Sequence, residues 1–359
     1  MPVDLTALPI QLLPTAQELA KKIDFENDIQ KGNNGYVLVG KNRITDQKVV
    51  VKFYYWGDGA HLEPKHLCDL ASPHTLHVLD AAAIDKDDAY FITAYCEHGD
   101  LDEHLEKGGI GVRQAVEIIL EVATGANTIH ASGFIHRDLK PSNIFCNSDK
   151  KFVIGDFGSI VEKNEHGYAK TGSKHSLIYR TPEEVATGRA YPQGDIYQIG
   201  IILYQLLGGV LKYNEAEWLS EKELAIYCAK PEPENQFYAT AIIEKKITSG
   251  KVLNYGTLPA WIPDELVKVV RKCCKLDYTD RYASMSDFIV KLSNMRSALP
   301  DWRLEPEPIL HKHRGRFRLT ERSGKYLIEK KTGEHTSWRK QNKHPAMSLV
   351  EAIKLAERL

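Results

Sequence analysis

Residues 134–144 read FIHRDLKPSNI. An arginine and an aspartate stand side by side, a lysine follows two positions after the aspartate, and an asparagine three beyond that. An ordinary polar turn can carry such residues without meaning. The stretch gains weight only if the rest of the chain supplies partners in a fixed order, so the sequence is read outward from it.

The bounds are those of a globular chain. With 359 residues, 43% of them apolar and 26% charged, it can bury one large domain and a small one, or two ordinary domains. A formal net charge of −1 gives no whole-chain signal for nucleic acid, an acidic ligand or a membrane surface. Cys68, Cys96, Cys146, Cys228, Cys273 and Cys274 show no CxxC spacing, and MPVDLTALPIQLLPTAQELAKK lacks a basic stretch followed by an apolar core. Reduced thiols in a cytoplasmic setting are therefore expected, with no structural zinc. The most apolar run, IGIILYQLLGGVL at 199–211, is too short for a bilayer and reads as a buried core helix.

Three β-branched runs come early: YVLVG at 36–40, KVVVKFYYW at 48–56 and AYFITAYCE at 89–97. Turn residues flank each, so this region reads as strands. From Val112 the periodicity turns helical, and VRQAVEIILEVATGANTIHASG ends at Ser132-Gly133, a plausible stop. Helical spacing continues from about 195 to 296, broken at Pro231, Pro233, Pro259 and Pro263. PDWRLEPEPILHKHRG then holds three prolines and reads as a linker, followed by RFRLTER and KYLIEKK as a hairpin and SLVEAIKLAERL as a helix. Strands followed by helices indicate an α+β architecture.

The partners are present. GDFGS at 155–159 follows Asn143 by thirteen residues to its aspartate, VVVKF at 49–53 precedes both loops, and IYRTPEE at 178–184 and GDIYQIG at 194–200 come after. With these in order the chain resembles the eukaryotic-type protein kinases of the Ser/Thr kind over roughly residues 25–298. The lysine two positions past the aspartate fits that group better than tyrosine kinases. The resemblance implies a bilobal fold, with a strand-rich N-lobe over 25–95 and a helical C-lobe over 100–298. An N-terminal extension (1–24), a linker (299–310) and a small basic ββα-like domain (311–359) would complete it.

The resemblance also implies roles. Asp138 would position or deprotonate the acceptor hydroxyl, Lys140 would neutralise the moving phosphoryl group, and Asn143 and Asp156 would hold Mg²⁺ or Mn²⁺. Lys52 would anchor the phosphates of ATP, with Glu63 as its partner and Asp69 as the substitute. Gly32 and Gly35 would form the phosphate-covering loop, where Gln30 replaces the first glycine of the family pattern. Glu63 precedes Pro64 only eleven positions after Lys52, which implies a shortened helix. Thr93 would set the depth of the adenine pocket, Cys96 and Glu97 would line the connecting segment, and Asp100 would meet the ribose. Thr181 replaces the alanine of the APE motif, Asp195 would organise the catalytic loop, and Arg281 would pair with Glu183.

Between Gly158 and Thr181 the chain is rich in hydroxyls and cations. A phosphate there could pair with Arg137; Thr171 and Ser173 are the candidates, Tyr168 a lesser one, while Ser176 aligns with the residue that contacts Asp138 and Lys140. Residues 311–343 hold eleven Lys or Arg against three Asp or Glu, interleaved with Phe317, Tyr326 and Trp338. That segment reads as a patch for an acidic partner or nucleic acid, or as a strand edge defended by cations. Function is thus expected to be ATP-dependent phosphorylation of a protein substrate, without membrane attachment. A pseudokinase scaffold is the alternative, resting on Gln30 and the irregular helix. A small-molecule kinase fits HRDLKPSN less well.

Overall fold

The computed structural model describes residues 3–26, 30–32, 35–57, 62–171, 176–333, 337–341 and 345–359, with backbone alone for 30–32. The N-lobe is a six-stranded antiparallel sheet of β1 (Ile23–Phe25), β2 (Gln30–Gly32), β3 (Gly35–Asn42), β4 (Lys48–Tyr55), β5 (Val78–Ala83) and β6 (Asp88–Ala94). The strand order is β1-β3-β4-β6-β5, with β2 paired to β3. Side chains alternate across β4, so Val49, Val51 and Phe53 are buried on one face and Lys52 lies on the other. The buried face meets α1 (Leu13–Leu19) through Leu12, Ala16 and Leu19, joined by Leu8 and Ile23. Residues 5–24, within the stretch 1–24 expected as an extension, thus build one wall of the N-lobe core. That wall leaves Lys52 facing the cleft.

Helix α2 (Glu63–Asp69) lies beside the sheet, and α3 (Leu101–Lys107) follows the connecting segment. The C-lobe is built on α4 (Val112–Ala131), α5 (Pro182–Thr187), α6 (Pro192–Leu206), α7 (Glu221–Ala229), α8 (Glu234–Thr248), α9 (Asp264–Cys273) and α10 (Met285–Arg296). Helix α6 is buried continuously from Gly194 to Leu206, the centre of the core. Short strands frame the loops between helices: β7 (Phe134–Ile135) with β10 (Val161–Glu162), β8 (Ile144–Cys146) with β9 (Phe152–Ile154), and β11 (Ala169–Lys170) with β12 (Arg189–Ala190). The architecture is α+β and bilobal. No helix among the described residues is long and apolar enough to cross a membrane.

Beyond α10 the structure departs from the sequence reading. The chain forms a five-stranded antiparallel meander, β13 (Asp301–Leu304), β14 (Pro308–Lys312), β15 (Gly315–Arg322), β16 (Lys325–Lys331) and β17 (Arg339–Lys340), followed by α11 (Leu349–Arg358). Residues 299–310 are therefore no linker: Trp302 is 1% exposed and Leu299 4%. The prolines misled because they bracket strands. Pro308 opens β14, a position that needs no ladder N–H, and Pro306 lies in the turn closed by Glu305 N–H to the Glu307 carbonyl at 2.9 Å. The expected hairpin is β15–β16, turned by Ser323 and Gly324, both with positive φ, as a two-residue hairpin requires.

The appendage shares the C-lobe core. Trp302, Leu310, Phe317, Leu319 and Ile328 belong to the same buried cluster as α4 and α6, and the Trp302 and Trp261 rings lie 6.4 Å apart. Arg113 Nε donates to the Leu299 carbonyl at 2.8 Å, and Trp302 Nε1 donates to Glu357 Oε1 at 2.9 Å. Several basic residues of the meander are engaged within it: Arg318 pairs with Glu329 at 2.5 Å and Glu307 at 3.3 Å, and Lys312 donates to the Glu357 carbonyl at 2.7 Å.

A second brace crosses the C-lobe. Arg281 Nη1 and Nη2 donate to the two oxygens of Glu183 in α5 at 2.8 and 2.7 Å, with both side chains buried. Two predictions follow from these contacts. Trp302→Ala is expected to cost about 3–5 kcal/mol in urea denaturation, because its volume is lost from a shared core. Arg281→Met is expected to cost about 3–5 kcal/mol by leaving a buried carboxylate unpaired, and Arg281→Met with Glu183→Met to regain most of it. Midpoints indistinguishable from wild type would contradict either.

Candidate active site

The loop 136–143 is held from below by one helix. Asp195, in the first turn of α6, has no exposed surface. Its Oδ2 accepts the backbone N–H of His136 at 2.9 Å and His130 Nε2 at 2.6 Å, and its Oδ1 accepts the backbone N–H of Arg137 at 2.8 Å. Burial works against its charge, but the bonds from His130 and the loop outweigh that and hold the carboxyl below the usual range. One turn on, Gln198 accepts from Leu139 N–H at 2.9 Å and donates to the Arg137 carbonyl at 2.6 Å. These anchors force Arg137 to φ 74°, a region costly for a non-glycine residue. Burial pushes the pKa of His136 down, so its ring sits neutral against Phe157 at 5.5 Å between centroids.

Above that base the polar groups converge. Asp138 Oδ2 accepts from Lys140 Nζ at 2.9 Å and from Asn143 Nδ2 at 3.1 Å, and Lys140 also donates to Ser176 Oγ at 2.8 Å. Asn143 Nδ2 donates in addition to the Asp138 carbonyl at 2.8 Å. With its amide nitrogen so used, the Asn143 oxygen is the end left to face a ligand. The Asn143 carbonyl accepts Gly155 N–H at 2.9 Å, which joins the loop to the segment carrying Asp156. Asp156 itself adopts φ 54° and ψ 72°, the left-handed region. Its Oδ1 is buried without a hydrogen bond among the described residues.

From the N-lobe, Lys52 donates to both oxygens of Glu63 at 3.0 and 2.9 Å and lies 3.7 Å from Asp156 Oδ1. Burial opposes the charge on Lys52, but Glu63 and Asp156 outweigh it and hold the ammonium above the ordinary lysine range. Glu63 is the first residue of α2 and Pro64 the second. A proline there removes no helical hydrogen bond, because the first N–H groups of a helix have no partner within it. Asp69 is engaged elsewhere, by Lys65 at 2.6 Å.

The cleft wall is less uniform. Gly32 and Gly35 face each other across the β2–β3 turn, and a Cβ at Gly35 would lie 1.9 Å from the Phe53 carbonyl oxygen. Gln30 pairs with Val37 in the same hairpin. Thr93 is buried on β6 opposite Val50. Cys96 and the exposed Glu97 lie on the connection, where burial pushes the Cys96 thiol up to about 11 and leaves it unreactive near neutrality. Asp100 caps α3, its Oδ1 accepting Glu103 N–H at 3.0 Å, a use the sequence reading did not include. Ser173 lies outside the described residues.

The structure adds residues that motif reading missed. His130 and Gln198 hold the loop; Gln198 follows Asp195 by three positions on one helix face, a spacing visible in the sequence. Thr181 caps α5 by accepting Glu184 N–H at 3.3 Å, which a short polar residue before a proline could have signalled. A divalent cation fits the donor set: a buried carboxylate oxygen on Asp156 and an amide oxygen on Asn143 are hard oxygen ligands. No cluster of three or more His, Cys, Asp or Glu side chains among the described residues could hold a metal.

Comparison with known proteins gives the same direction. A probable serine/threonine-protein kinase of Clostridium perfringens is 27% identical over 65% of this chain and 31% of its own length. A carbon catabolite-derepressing protein kinase of Secale cereale is 33% identical over 51% of this chain and 39% of its own. A probable serine/threonine-protein kinase of Lactococcus lactis is 25% identical over 64% and 34%. The chain thus spans roughly a third of the length of these relatives. Residues 23–291 match the protein kinase domain, three quarters of the sequence, and by that match the chain belongs to the protein kinase family.

Proposed function

We propose that the chain transfers the γ-phosphoryl group of ATP to serine or threonine hydroxyls of protein substrates. The observation that carries this is the two-bond Lys52–Glu63 pair closed beside Asp156, in a chain that keeps Asp138, Lys140 and Asn143 around one point. Lys52 orients the phosphates, held in place by Glu63. Asp138 aligns the acceptor hydroxyl and takes its proton, which fixes the direction of attack. Lys140 sits on the Asp138 carboxylate and meets the charge that develops on the transferring group. Mg²⁺ or Mn²⁺, held by Asp156 and Asn143, supplies further neutralisation of the phosphates when bound.

The alternative, a scaffold that binds nucleotide without efficient transfer, drew its support from Gln30 and the irregular helix. The short α2 nonetheless brings Glu63 onto Lys52. Support for the scaffold therefore narrows to Gln30. Autophosphorylation of the activation segment belongs to the same proposal, with Thr171 and Ser173 as acceptors, and peptide mapping distinguishes them.

Intact-mass measurement with Mg²⁺-ATP is the first test. The wild type is expected to gain mass in steps of one phosphate, and Asp138→Asn to lose about 10²–10⁴-fold in rate on itself and on added protein. Glu63→Gln is expected to lower kcat/KM about 10-fold to 100-fold, the worth of charge-assisted bonds, with nucleotide still bound. ATP binding without any transfer, by wild type or variant, would favour the scaffold.

A further inference from the structure

Arg137 bridges two parts of the activation segment and the helix that follows it. Its Nη1 donates to the Ser159 carbonyl at 3.3 Å, near the start of the segment. Its Nη2 donates to Thr171 Oγ1 in the middle and to Glu184 Oε1 at 3.2 Å, just past the end. The Arg137 and Glu184 side chains are 4% and 6% exposed. Strand pairing fixes the same stretch from both sides: Val161–Glu162 on β7, and Ala169–Lys170 on β12, with Thr171 N–H donating to the Gly188 carbonyl at 3.0 Å.

Helix α5 carries two adjacent glutamates. Glu183 is committed to Arg281, whereas Glu184 turns to Arg137. Arg180, the other guanidinium near Glu184, donates to Glu244 Oε1 at 2.6 Å. Burial pushes the Glu184 carboxyl above the usual carboxylate range, and Arg137, Arg180 and Thr171 offset only part of that rise. A buried guanidinium demands an anion, and here a carboxylate of the chain itself supplies it. Residues 159–171 are held against the catalytic loop by these contacts, and the Lys52–Glu63 pair is formed.

We infer that Glu184 is a positioning residue: it provides, in the unmodified chain, the negative charge that balances Arg137 and holds residues 159–171 against the catalytic loop. Phosphorylation of Thr171 is then not required for competence. A phosphate there would bring a second anion to a guanidinium already matched, so it gives no activation. This rests on the kinase reading for its catalytic consequence and on the Arg137 contacts alone for its structural one.

The test uses phosphatase-treated full-length protein, shown by intact mass to carry no phosphate. Its kcat on a protein substrate, measured before any phosphate is regained, is expected to lie within about two-fold of that of the phosphorylated form, and Thr171→Ala to behave likewise. Amide hydrogen exchange is measured in parallel on phosphate-free protein. Glu184→Gln is expected to speed exchange in 159–171 by about ten-fold or more, with α4 and α6 still protected, and Glu184→Asp to recover part of that protection. Loss of ten-fold or more in kcat on dephosphorylation would overturn the inference. So would unchanged protection of 159–171 in Glu184→Gln. If that variant does not fold, the comparison of phosphate-free and phosphorylated wild type decides: a segment protected only when phosphorylated overturns it. Absence of transfer in every form would sink the kinase reading instead, and the exchange data would still decide the role of Glu184.

Discussion

Everything at the candidate active site depends on Asp195. A carboxylate with no access to solvent is costly unless its oxygens are filled, and here three donors fill them. Two of the three are backbone N–H groups of the loop itself, so the cost of burial is met only when residues 136 and 137 hold one particular course. Hydrogen bonds to a charged group are worth about 1.5–3 kcal/mol each, against about 1–3 kcal/mol for a non-glycine residue in the left-handed region. The bonds therefore outweigh the strain at Arg137. The first turn of α6 adds its N-terminal dipole, which favours a negative charge at that place.

The N-lobe solves a different problem, that of holding a lysine charged in a partly dry cleft. Lys52 needs two acids near it, and they come from separate elements: Glu63 from α2 and Asp156 from the segment after β9. Bringing them together couples the lobes. Helix α2 is only seven residues long, yet its length matters less than the position of its first residue. A glutamate at a helix N-terminus is favoured by the dipole, and Pro64 beside it fixes the entry of the chain. The shortness that seemed a defect in the sequence places the acid at a defined end.

Legibility follows from how local the information is. HRDLKPSN, GDFGS and VVVKF could be read because the protein kinase pattern sets residue types at set separations, and β4 because its alternation is complete within eight residues. Glu63 was harder, since its partner lies across a turn and a proline argues against helix. What failed depended on distant partners. Leu8, Leu12, Ala16 and Leu19 recur at near-helical spacing, but nothing local says that Val49, Val51 and Phe53 wait for them. Glu184 likewise looks like any acid in a helix first turn, and its meaning comes from Arg137, forty-seven positions earlier. The prolines of 300–308 resembled a linker because proline marks both loose chain and strand ends.

That last misreading bears on how the appendage is understood. A tethered module keeps its own core and touches its neighbour through a modest polar surface. Here the first strand after α10 inserts Trp302 against Trp261, and Arg113 at the start of α4 closes on the Leu299 carbonyl. Buried side chains run without a break from α6 through α4 to β13, β14 and β15. Separating the two parts would expose a tryptophan and several aliphatic side chains, each worth about 1.5–3 kcal/mol on burial. Motion of the appendage as a free unit is thereby disfavoured. Whatever its surface contacts, they are delivered at a fixed position on the base of the C-lobe, through the helix that carries His130 at its far end.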